Sequence, residues 1–358
     1  ACAALASPPR RAEVGAWLRA PHASADPARI DDADPLAAIV YTSGTTGRPK
    51  GAMLPARAFA ASAAASRAQL GVRAGDRWLA CLPLFHVGGL AVLARSAADG
   101  VAVELHERFD AAAVASRLAS GEVQWASLVP AMLARVLAAD TREASPALRG
   151  ILVGGAAAPE PLLEAAAKRG FPIAPTYGLT EAASQVATRP PGAPGRGLVP
   201  LPATQVAIAD DGEILVAGPT VMRGYWRQPG ATERALRGGW LHTGDVGRLD
   251  ERGALHVLAR RTDLIVSGGE NVYPAEVEAV LAEHPSVREV AVAGVPDAEF
   301  GARPAAWIVA AAPLDADGLR AFCRARLAGY KVPVAFHRVA ALPRGASGKV
   351  LRDRLRAR

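Results

Sequence analysis

The segment from Tyr41 to Gly51, YTSGTTGRPKG, constrains this chain more than any other. It follows an apolar run, Leu36 to Val40, which predicts a buried strand. Its glycines free the backbone, its hydroxyl and amide groups supply hydrogen-bond donors, and Lys50 adds a positive charge. A nucleotide's phosphates require such a donor-rich loop with a cation. The spacing is not that of a Walker A loop, and eleven residues in this order argue against an ordinary polar surface turn.

Composition indicates a globular protein with room for two domains. The chain has 358 residues, of which 51% are hydrophobic and 21% charged. Charged residues interrupt the apolar stretches, so we expect no transmembrane helix and no integral membrane association. The first residues lack the basic region of a signal peptide. Three cysteines without metal-ligand or disulfide spacing fit a reducing compartment, and we expect a cytoplasmic location.

The basic charge does not indicate a nucleic-acid partner. The formal net charge is +7, but the arginines are scattered and no nucleic-acid motif surrounds them. A basic surface that holds polyanionic small molecules accounts for this charge better.

Apolar runs and helical patterns alternate along the first part of the chain, which predicts α/β layers. From about Leu201 to Leu258 the pattern becomes shorter and richer in glycine, as expected for antiparallel strands. Beyond residue 262 lies a compact α+β pattern with helices predicted at Pro274 to His284 and Ala316 to Leu327. Cys323 has helical spacing to apolar residues and is predicted to lie in the core.

Three further segments carry polar side chains suited to a nucleotide: Tyr177–Glu181 (YGLTE), Trp240–Asp245 (WLHTGD) and Pro343–Val350 (PRGASGKV). A tyrosine ring can lie against a base, and the Glu181 carboxylate can hold Mg²⁺. The Asp245 carboxylate can accept hydrogen bonds from two ribose hydroxyls. Taken alone, the first segment could also be a helix start and the second a hairpin turn. The third could be a loop with a solvated surface lysine.

Taken together, these segments resemble the adenylate-forming superfamily, which includes acyl-CoA synthetases, peptide-synthetase adenylation domains and luciferases. The resemblance implies an α/β fold in two domains. Residues 1–261 would form the large AMP-binding domain, with layered α/β structure and a small β-rich subdomain. Residues 262–358 would form a smaller, mobile α+β domain, with the hinge at Thr262.

The resemblance also implies a role for each matching residue. The expected phosphate contacts are Thr42, Ser43, Gly44, Thr45, Thr46, Gly47 and Lys50. The expected adenine and phosphate contacts are Gly155, Ala156, Tyr177, Gly178 and Thr180, and the expected ribose contacts are Asp245 and Arg260. Glu181 would hold Mg²⁺, and Lys349, Lys50 and His86 would be catalytic. Gly268 and Gly269 would approach coenzyme A, while His86, Ser184 and Gln185 would contact the acid.

The activity implied is an ATP-dependent carboxylic acid–CoA ligase that works through an acyl-adenylate and releases AMP and pyrophosphate. Its small-molecule partners would be the acid, ATP with Mg²⁺, and coenzyme A; homo-oligomerisation is left open. Within the superfamily the resemblance is strongest to the o-succinylbenzoate–CoA ligases of menaquinone synthesis. It is carried by Thr176–Thr188, Ala126–Pro130 and Gly239–Asp245.

Three alternatives stay open. The acid could be a medium- or long-chain fatty acid or an aryl acid. The chain could load a carrier protein, although the loop Ser267–Pro274 resembles the loop used for CoA thioester formation. It could also be an inactive, truncated nucleotide-binding remnant, because only forty residues precede Tyr41 where relatives usually carry more. The presence of Lys50, Glu181 and Lys349 argues against a remnant.

Overall fold

The computed structural model describes residues 34–42, 49–310, 313–345 and 350–355. Contacts divide the chain into a unit of residues 1–35 and a unit of residues 36–358, and every helix and strand within the described ranges belongs to the second unit. Eight α-helices and twenty β-strands within these ranges confirm the α/β prediction. Six predicted site residues lie outside the described residues: Ser43, Gly44, Thr45, Thr46, Gly47 and Lys349.

The largest sheet has seven strands, of which the first five in spatial order are parallel. In that order the strands are β4 (Ala102–Leu105), β3 (Arg77–Ala80), β5 (Trp125–Leu128), β6 (Gly150–Val153), β7 (Ile173–Leu179), β8 (Ser184–Thr188) and β9 (Val199–Pro200). Strands β8 and β9 are antiparallel to their neighbours. The carboxyl ends of the parallel strands therefore meet at one edge, which is where α/β sheets bind ligands.

Helices pack against both faces of this sheet. They are α1 (Ala56–Leu70), α2 (Val87–Asp99), α3 (Ala111–Ala119), α4 (Pro130–Ala139) and α5 (Glu160–Lys168). Successive strand side chains point to opposite faces. Leu79 and Ile151 belong to a core cluster with residues of α3, α4 and α5, whereas Trp78 and Leu152 belong to one with residues of α1 and α2. The alternating pattern thus builds two hydrophobic layers.

A buried carboxylate joins the amino-terminal edge of the parallel strands. Asp76 Oδ2 accepts hydrogen bonds from Trp125 Nε1 at 2.9 Å, Arg149 Nη1 at 2.6 Å and Arg73 N at 2.9 Å. The Trp125 ring stacks on Trp78 with a centroid separation of 5.5 Å. Asp76 is only 8% exposed, so water cannot readily replace it as an acceptor.

Two smaller sheets share a core. One has the order β1 (Leu36–Thr42), β2 (Lys50–Pro55), β12 (Gly224–Tyr225). The other contains β10 (Gln205–Ile208), β11 (Glu213–Ala217), β14 (Trp240–Leu249), β13 (Leu236–Arg237) and β15 (Leu255–Arg260). All their pairings are antiparallel, as predicted for the glycine-rich region. Helix α6 (Pro229–Ala235) lies between β12 and β13 in the chain, and Leu54, Ile214 and Leu241 share one core cluster.

A strand does precede the predicted phosphate loop, but most of its residues are not buried. The prediction is therefore correct for the strand and wrong for its burial. Strand β1 begins with two exposed residues, Leu36 and Ala37, and within the strand only Val40 is fully buried. The reason is its position, because β1 is an edge strand of the three-stranded sheet.

The last third of the described chain forms a five-stranded sheet with two helices. Its strands are β17 (Glu270–Val272), β16 (Ile265–Ser267), β19 (Gly301–Ala310), β18 (Val287–Asp297) and β20 (Phe336–Arg338). Helices α7 (Pro274–Ala282) and α8 (Ala316–Arg324) contribute Val277, Leu281 and Cys323 to its core. The core position of Cys323 is thus confirmed, although α8 ends earlier than predicted. The domain boundary near residue 262 stays a prediction; a short 3₁₀ turn, Arg261–Asp263, lies there.

The chain's last described turn is tied to this sheet by Arg352. Its guanidinium donates to Val292 O at 3.1 Å, Asp263 Oδ2 at 3.0 Å and Glu278 Oε1 at 2.7 Å. Burial acts to lower the pKa of Arg352, but the Glu278 and Asp263 carboxylates outweigh it and raise that pKa. The charged form therefore persists, and it joins β18, α7 and the 3₁₀ turn.

No described helix is long and apolar enough to cross a bilayer. The longest of them, α1, has 15 residues, whereas a spanning helix needs about 20.

Strands β7 and β8 approach unusually closely at Gly178. A Cβ atom at Gly178 would lie 1.7 Å from Ser184 O, and the register of the pair shifts between Tyr177 and Gly178. Ala183 and Ser184 have positive φ values of 51° and 98°, which are uncommon for residues other than glycine. The backbone therefore requires glycine at residue 178.

Replacing Asp76 with alanine should lower the free energy of unfolding by about 3 kcal/mol, because a buried indole N–H and a guanidinium lose their acceptor. Urea unfolding measures the loss. The control is Asp110→Ala, which removes an exposed cap from helix α3 and should cost about 1 kcal/mol. Equal losses in the two variants would contradict the role given to Asp76.

Replacing Gly178 with alanine should destabilise the protein by more than about 3 kcal/mol, because the contact is with backbone that cannot move aside cheaply. Gly329→Ala is the matched control, since a Cβ there meets nothing within 4 Å. Thermal unfolding should separate the two variants clearly; a wild-type midpoint for Gly178→Ala would refute the close approach.

Candidate active site

A lysine, a tyrosine and a glutamate meet where the three-stranded sheet reaches the end of β7. Lys50 Nζ, on β2, lies 5.2 Å from the centroid of the Tyr225 ring on β12. The Tyr225 hydroxyl donates to Glu181 Oε1 at 2.7 Å. Glu181 lies in a 3₁₀ turn, Thr180–Ala182, and its carbonyl accepts from Met222 N at 2.8 Å. The structure thus places the predicted cation near the predicted metal ligand, with Tyr225 between them.

A second group joins the largest sheet to the β14–β15 hairpin. The Tyr177 hydroxyl donates to Asp245 Oδ2 at 2.8 Å, and Arg260 Nε donates to Asp245 Oδ1 at 3.3 Å. Asp245 and Arg260 are direct cross-strand partners. The two residues predicted to contact ribose are therefore adjacent, and the predicted adenine-binding tyrosine touches the same carboxylate.

Both tyrosines stay protonated and act as donors. Burial raises the pKa of Tyr177 well above its usual value, and the Asp245 carboxylate raises it further. Burial likewise raises the pKa of Tyr225, with Glu181 adding to the effect. Burial acts to lower the pKa of Arg260. The Asp245 carboxylate, with a smaller contribution from Glu181, outweighs burial and raises that pKa. The guanidinium therefore stays charged beside Asp245.

The turn that carries Asp245 is held by two residues of β11. Asp245 N donates to Thr243 Oγ1 at 3.1 Å, and that hydroxyl donates to Ile214 O at 2.7 Å. Gly244 N donates to Glu213 Oε1 at 2.8 Å. Asp245 is only 7% exposed, so its orientation is set by these bonds and by Tyr177 and Arg260.

The predicted adenine turn follows β6, next to the strand that carries Tyr177. Gly154 lies so close to β7 that a Cβ there would be 2.6 Å from Thr176 Cγ2. The following Gly155 has φ +79°, and both Gly155 and Ala156 are exposed. Their backbone is accessible at the carboxyl edge of the sheet, as base binding requires; contact with a base stays a prediction.

His86 is the residue before helix α2, and its backbone carbonyl accepts from Leu90 N at 3.0 Å. Its ring lies 4.4 Å from that of Phe85, which is 67% exposed. Val87 packs against the same core cluster as Tyr177 and Tyr225. The helix start therefore belongs to the same region, while the role of His86 toward an acid stays a prediction.

The residues expected to contact the acid differ in accessibility. Ser184 is half-buried, whereas Gln185 is 2% exposed and its Nε2 donates to Thr188 Oγ1 at 2.9 Å. Thr180, which opens the 3₁₀ turn, is half-buried. The Gln185 side chain thus belongs to a buried hydrogen-bond network. Its contact with an acid stays a prediction.

The paired glycines after β16 are explained by a tight hairpin. Ser267 pairs with Glu270, and Gly268 and Gly269 form the two-residue turn with φ values of 59° and 86°. A turn with two positive φ values favours glycine at both positions. Gly268 N also donates to Phe300 O at 2.9 Å. Their predicted approach to coenzyme A stays a prediction.

The loop predicted to bind phosphate is bounded by paired residues. Thr42 and Lys50 are cross-strand partners of β1 and β2, and Thr42 Oγ1 lies 3.5 Å from Lys50 O. Both ends of the loop are therefore fixed in one sheet.

Sequence reasoning missed three residues of this site: Tyr225, Thr243 and Glu213. Tyr225 stands in a Gly-Tyr-Trp sequence, and an aromatic pair after glycine is a signal that could have been followed. Thr243 lies inside a recognised motif. Glu213 has no local signal, because its partners come from another strand.

Comparisons with known proteins agree with this geometry. The family model described as "AMP-binding enzyme" matches residues 4–226, and "AMP-binding enzyme C-terminal domain" matches residues 276–349. The 2-succinylbenzoate–CoA ligase of Bacillus licheniformis is 46% identical over 339 residues, which cover 91% of this chain and 70% of that protein.

Solved structures agree as well. The o-succinylbenzoate CoA synthetase of Bacillus subtilis, in complex with its acyl-adenylate intermediate, matches with a TM-score of 0.80 and 44% identity, covering 88% of this chain and 68% of that one. The same enzyme in complex with ATP and magnesium matches with a TM-score of 0.80, covering 88% and 69%. The family models, the relatives and the fold show that the chain belongs to the AMP-binding enzyme family of adenylate-forming proteins.

Proposed function

We propose that this chain is an ATP-dependent ligase that joins o-succinylbenzoate to coenzyme A through an acyl-adenylate, with release of AMP and pyrophosphate. The observation that carries the proposal is a pair of held carboxylates: Asp245 accepts from Tyr177 and Arg260, and Glu181 accepts from Tyr225. One carboxylate suits a ribose, and the other lies beside the cation Lys50. The choice of acid is supported by relatives named for that reaction.

Asp245 would accept hydrogen bonds from the ribose hydroxyls of ATP. Its oxygens already accept hydrogen bonds from Tyr177 and Arg260, which fix the plane of the carboxylate. A carboxylate oxygen has two lone pairs, so each can accept a further hydrogen bond from a hydroxyl. The adenine would lie near Tyr177 and the exposed backbone of Gly155 and Ala156.

The residues present fit a magnesium ion carried by the nucleotide. Among the described residues no cluster of three or more His, Cys, Asp or Glu side chains could hold a metal. A single carboxylate suits Mg²⁺, which usually keeps waters and substrate phosphate oxygens as its other ligands. Tyr225 donates to Glu181 Oε1 and so orients the carboxylate that would hold the ion. When bound, Mg²⁺ would neutralise phosphate charge.

In the first half-reaction the acid carboxylate would attack the α-phosphorus of ATP. A bond forms between the carboxylate oxygen and phosphorus, and the bond from phosphorus to the leaving pyrophosphate breaks. Lys50 would balance charge on the leaving group, and Lys349 would balance charge between the attacking oxygen and the α-phosphate. His86 would lie by the acid.

In the second half-reaction the thiol of coenzyme A would attack the acyl carbon and AMP would leave. The domain of residues 262–358 would rotate between the two steps, withdrawing Lys349 and presenting Gly268 and Gly269. We place the enzyme in the cytoplasm, where ATP and coenzyme A are available.

The decisive experiment is a panel of acids assayed for AMP release that depends on coenzyme A. We expect turnover of o-succinylbenzoate and little turnover of medium-chain fatty acids or benzoate. Turnover of a fatty acid but not of o-succinylbenzoate would support the ligase activity and contradict the proposed acid substrate. Acyl-AMP formation without a CoA thioester would indicate a carrier-protein partner. ATP binding without pyrophosphate exchange on any acid would indicate an inactive protein.

Replacing Lys349 with alanine should lower the rate of ATP–pyrophosphate exchange by about a hundredfold to a thousandfold, because a charge that stabilises the transition state is lost. Thioester formation from supplied acyl-adenylate should change little. Lys331→Ala is the matched control, since Lys331 lies in the same predicted domain and pairs with Glu276 at 2.7 Å. An equal loss in both half-reactions would contradict a role for Lys349 in adenylation alone.

A further inference from the structure

We propose that Glu213 is a positioning residue for Asp245, an inference that rests on the nucleotide-binding role proposed for that carboxylate. Glu213 is the first residue of β11 and is only 5% exposed. Few glutamates are buried unless specific partners take up their oxygens. Each oxygen of Glu213 has such a partner on β14, within three residues of Asp245.

The ladder between β11 and β14 is interrupted where Asp245 stands. Glu213 pairs with Val246 and Leu215 pairs with His242, so that Ile214 alone lies opposite the three residues 243–245. Extra residues on one strand leave backbone groups without ladder partners. The Glu213 side chain replaces one such partner, because its Oε1 accepts from Gly244 N at 2.8 Å.

The second oxygen contacts a histidine ring. His242 Nδ1 lies 2.9 Å from Glu213 Oε2, and Arg261 Nη1 lies 3.5 Å from the same oxygen. A carboxylate can only accept, so in this contact the imidazole donates. Arg237 contacts the same ring, with Nε 3.1 Å from Nε2 and Nη2 3.1 Å from Nδ1. The histidine, which comes before Thr243, is fixed from both sides.

These contacts hold the backbone turn that carries Asp245. Gly244 has φ +71°, a conformation that glycine adopts at little cost and that needs an acceptor for the N–H it turns inward. Thr243 ties the other side of the turn to Ile214. With Glu213 gone, the turn would keep the Thr243 bond and lose both others, so the backbone that carries Asp245 would be held less firmly.

The arrangement requires two acceptors at residue 213. Glutamine has one acceptor oxygen and one donor group, so it can accept from Gly244 or from His242 but not from both. Alanine can accept from neither. The structure therefore predicts a graded effect, with Glu213→Gln intermediate between the wild type and Glu213→Ala.

The test measures AMP binding by calorimetry in the full chain, together with KM for ATP and kcat. Losing the acceptor of a buried N–H should weaken AMP binding by roughly tenfold to a hundredfold in Glu213→Ala, and by about threefold to tenfold in Glu213→Gln. KM for ATP should rise more than kcat falls, because a ribose contact acts on binding in both the ground state and the transition state.

The matched control is Asp250→Asn, which alters a second carboxylate–histidine pair on the same hairpin. Asp250 Oδ2 lies 2.9 Å from His256 Nε2 at the far end of the β14–β15 turn. It should leave AMP affinity unchanged within a factor of about two, since that end carries no proposed nucleotide contact. This comparison separates positioning of Asp245 from general loss of hairpin stability.

Each outcome decides one proposal. If the wild type fails to bind AMP, the proposed function itself is overturned. If the wild type binds and Glu213→Gln binds equally well, only the role of Glu213 is overturned, even where Glu213→Ala does not fold. Equal weakening in Asp250→Asn and the Glu213 variants would also overturn it, because the effect would then be one of hairpin stability.

Discussion

The hydrogen bond from the Tyr177 hydroxyl to Asp245 is the interaction on which the site depends. It joins the seven-stranded sheet to the β14–β15 hairpin, two parts of the fold that belong to different sheets but share one core cluster. Tyr177 and Asp245 are each positioned by the sheet to which they belong. Gly178 allows β8 to approach behind Tyr177, and β11 holds the turn that carries Asp245.

Both carboxylates of the site are held by a buried tyrosine, and this shared device has a physical reason. An ionised carboxylate away from water is costly unless hydrogen bonds satisfy it. A tyrosine with a raised pKa remains a donor at every physiological pH, so it stabilises the anion without bringing a positive charge. Each tyrosine thus orients its carboxylate with a neutral donor.

Much of the site could be predicted from the sequence because its residues occur in short, ordered motifs. Asp245, Arg260, Tyr177 and Glu181 are each predicted in this way, and the alternation of apolar runs with helical patterns is enough for the α/β fold. Their mutual contacts could not be predicted, because these depend on register. Only the pairing of β14 with β15 reveals that Asp245 faces Arg260.

Other features escaped prediction for identifiable reasons. The exposure of β1 follows from its place at a sheet edge, and a run of apolar letters cannot indicate that place. Glu213 resembles any surface glutamate until the interrupted ladder beside it is seen. The glycines at 268 and 269 suggest a cofactor, although a two-residue hairpin already requires them.

The clamp formed by Arg352 has a consequence for the two segments assigned to the two proposed half-reactions. It fixes the chain just after residue 350 to β18 and α7, and β18 belongs to the same sheet as the hairpin of Gly268 and Gly269. The bridge between Arg344 and Val350 closes the intervening loop at its base. The described residues on either side of the Lys349 segment and the hairpin of Gly268 and Gly269 are thus tied to the same sheet. A displacement of that sheet would carry both together.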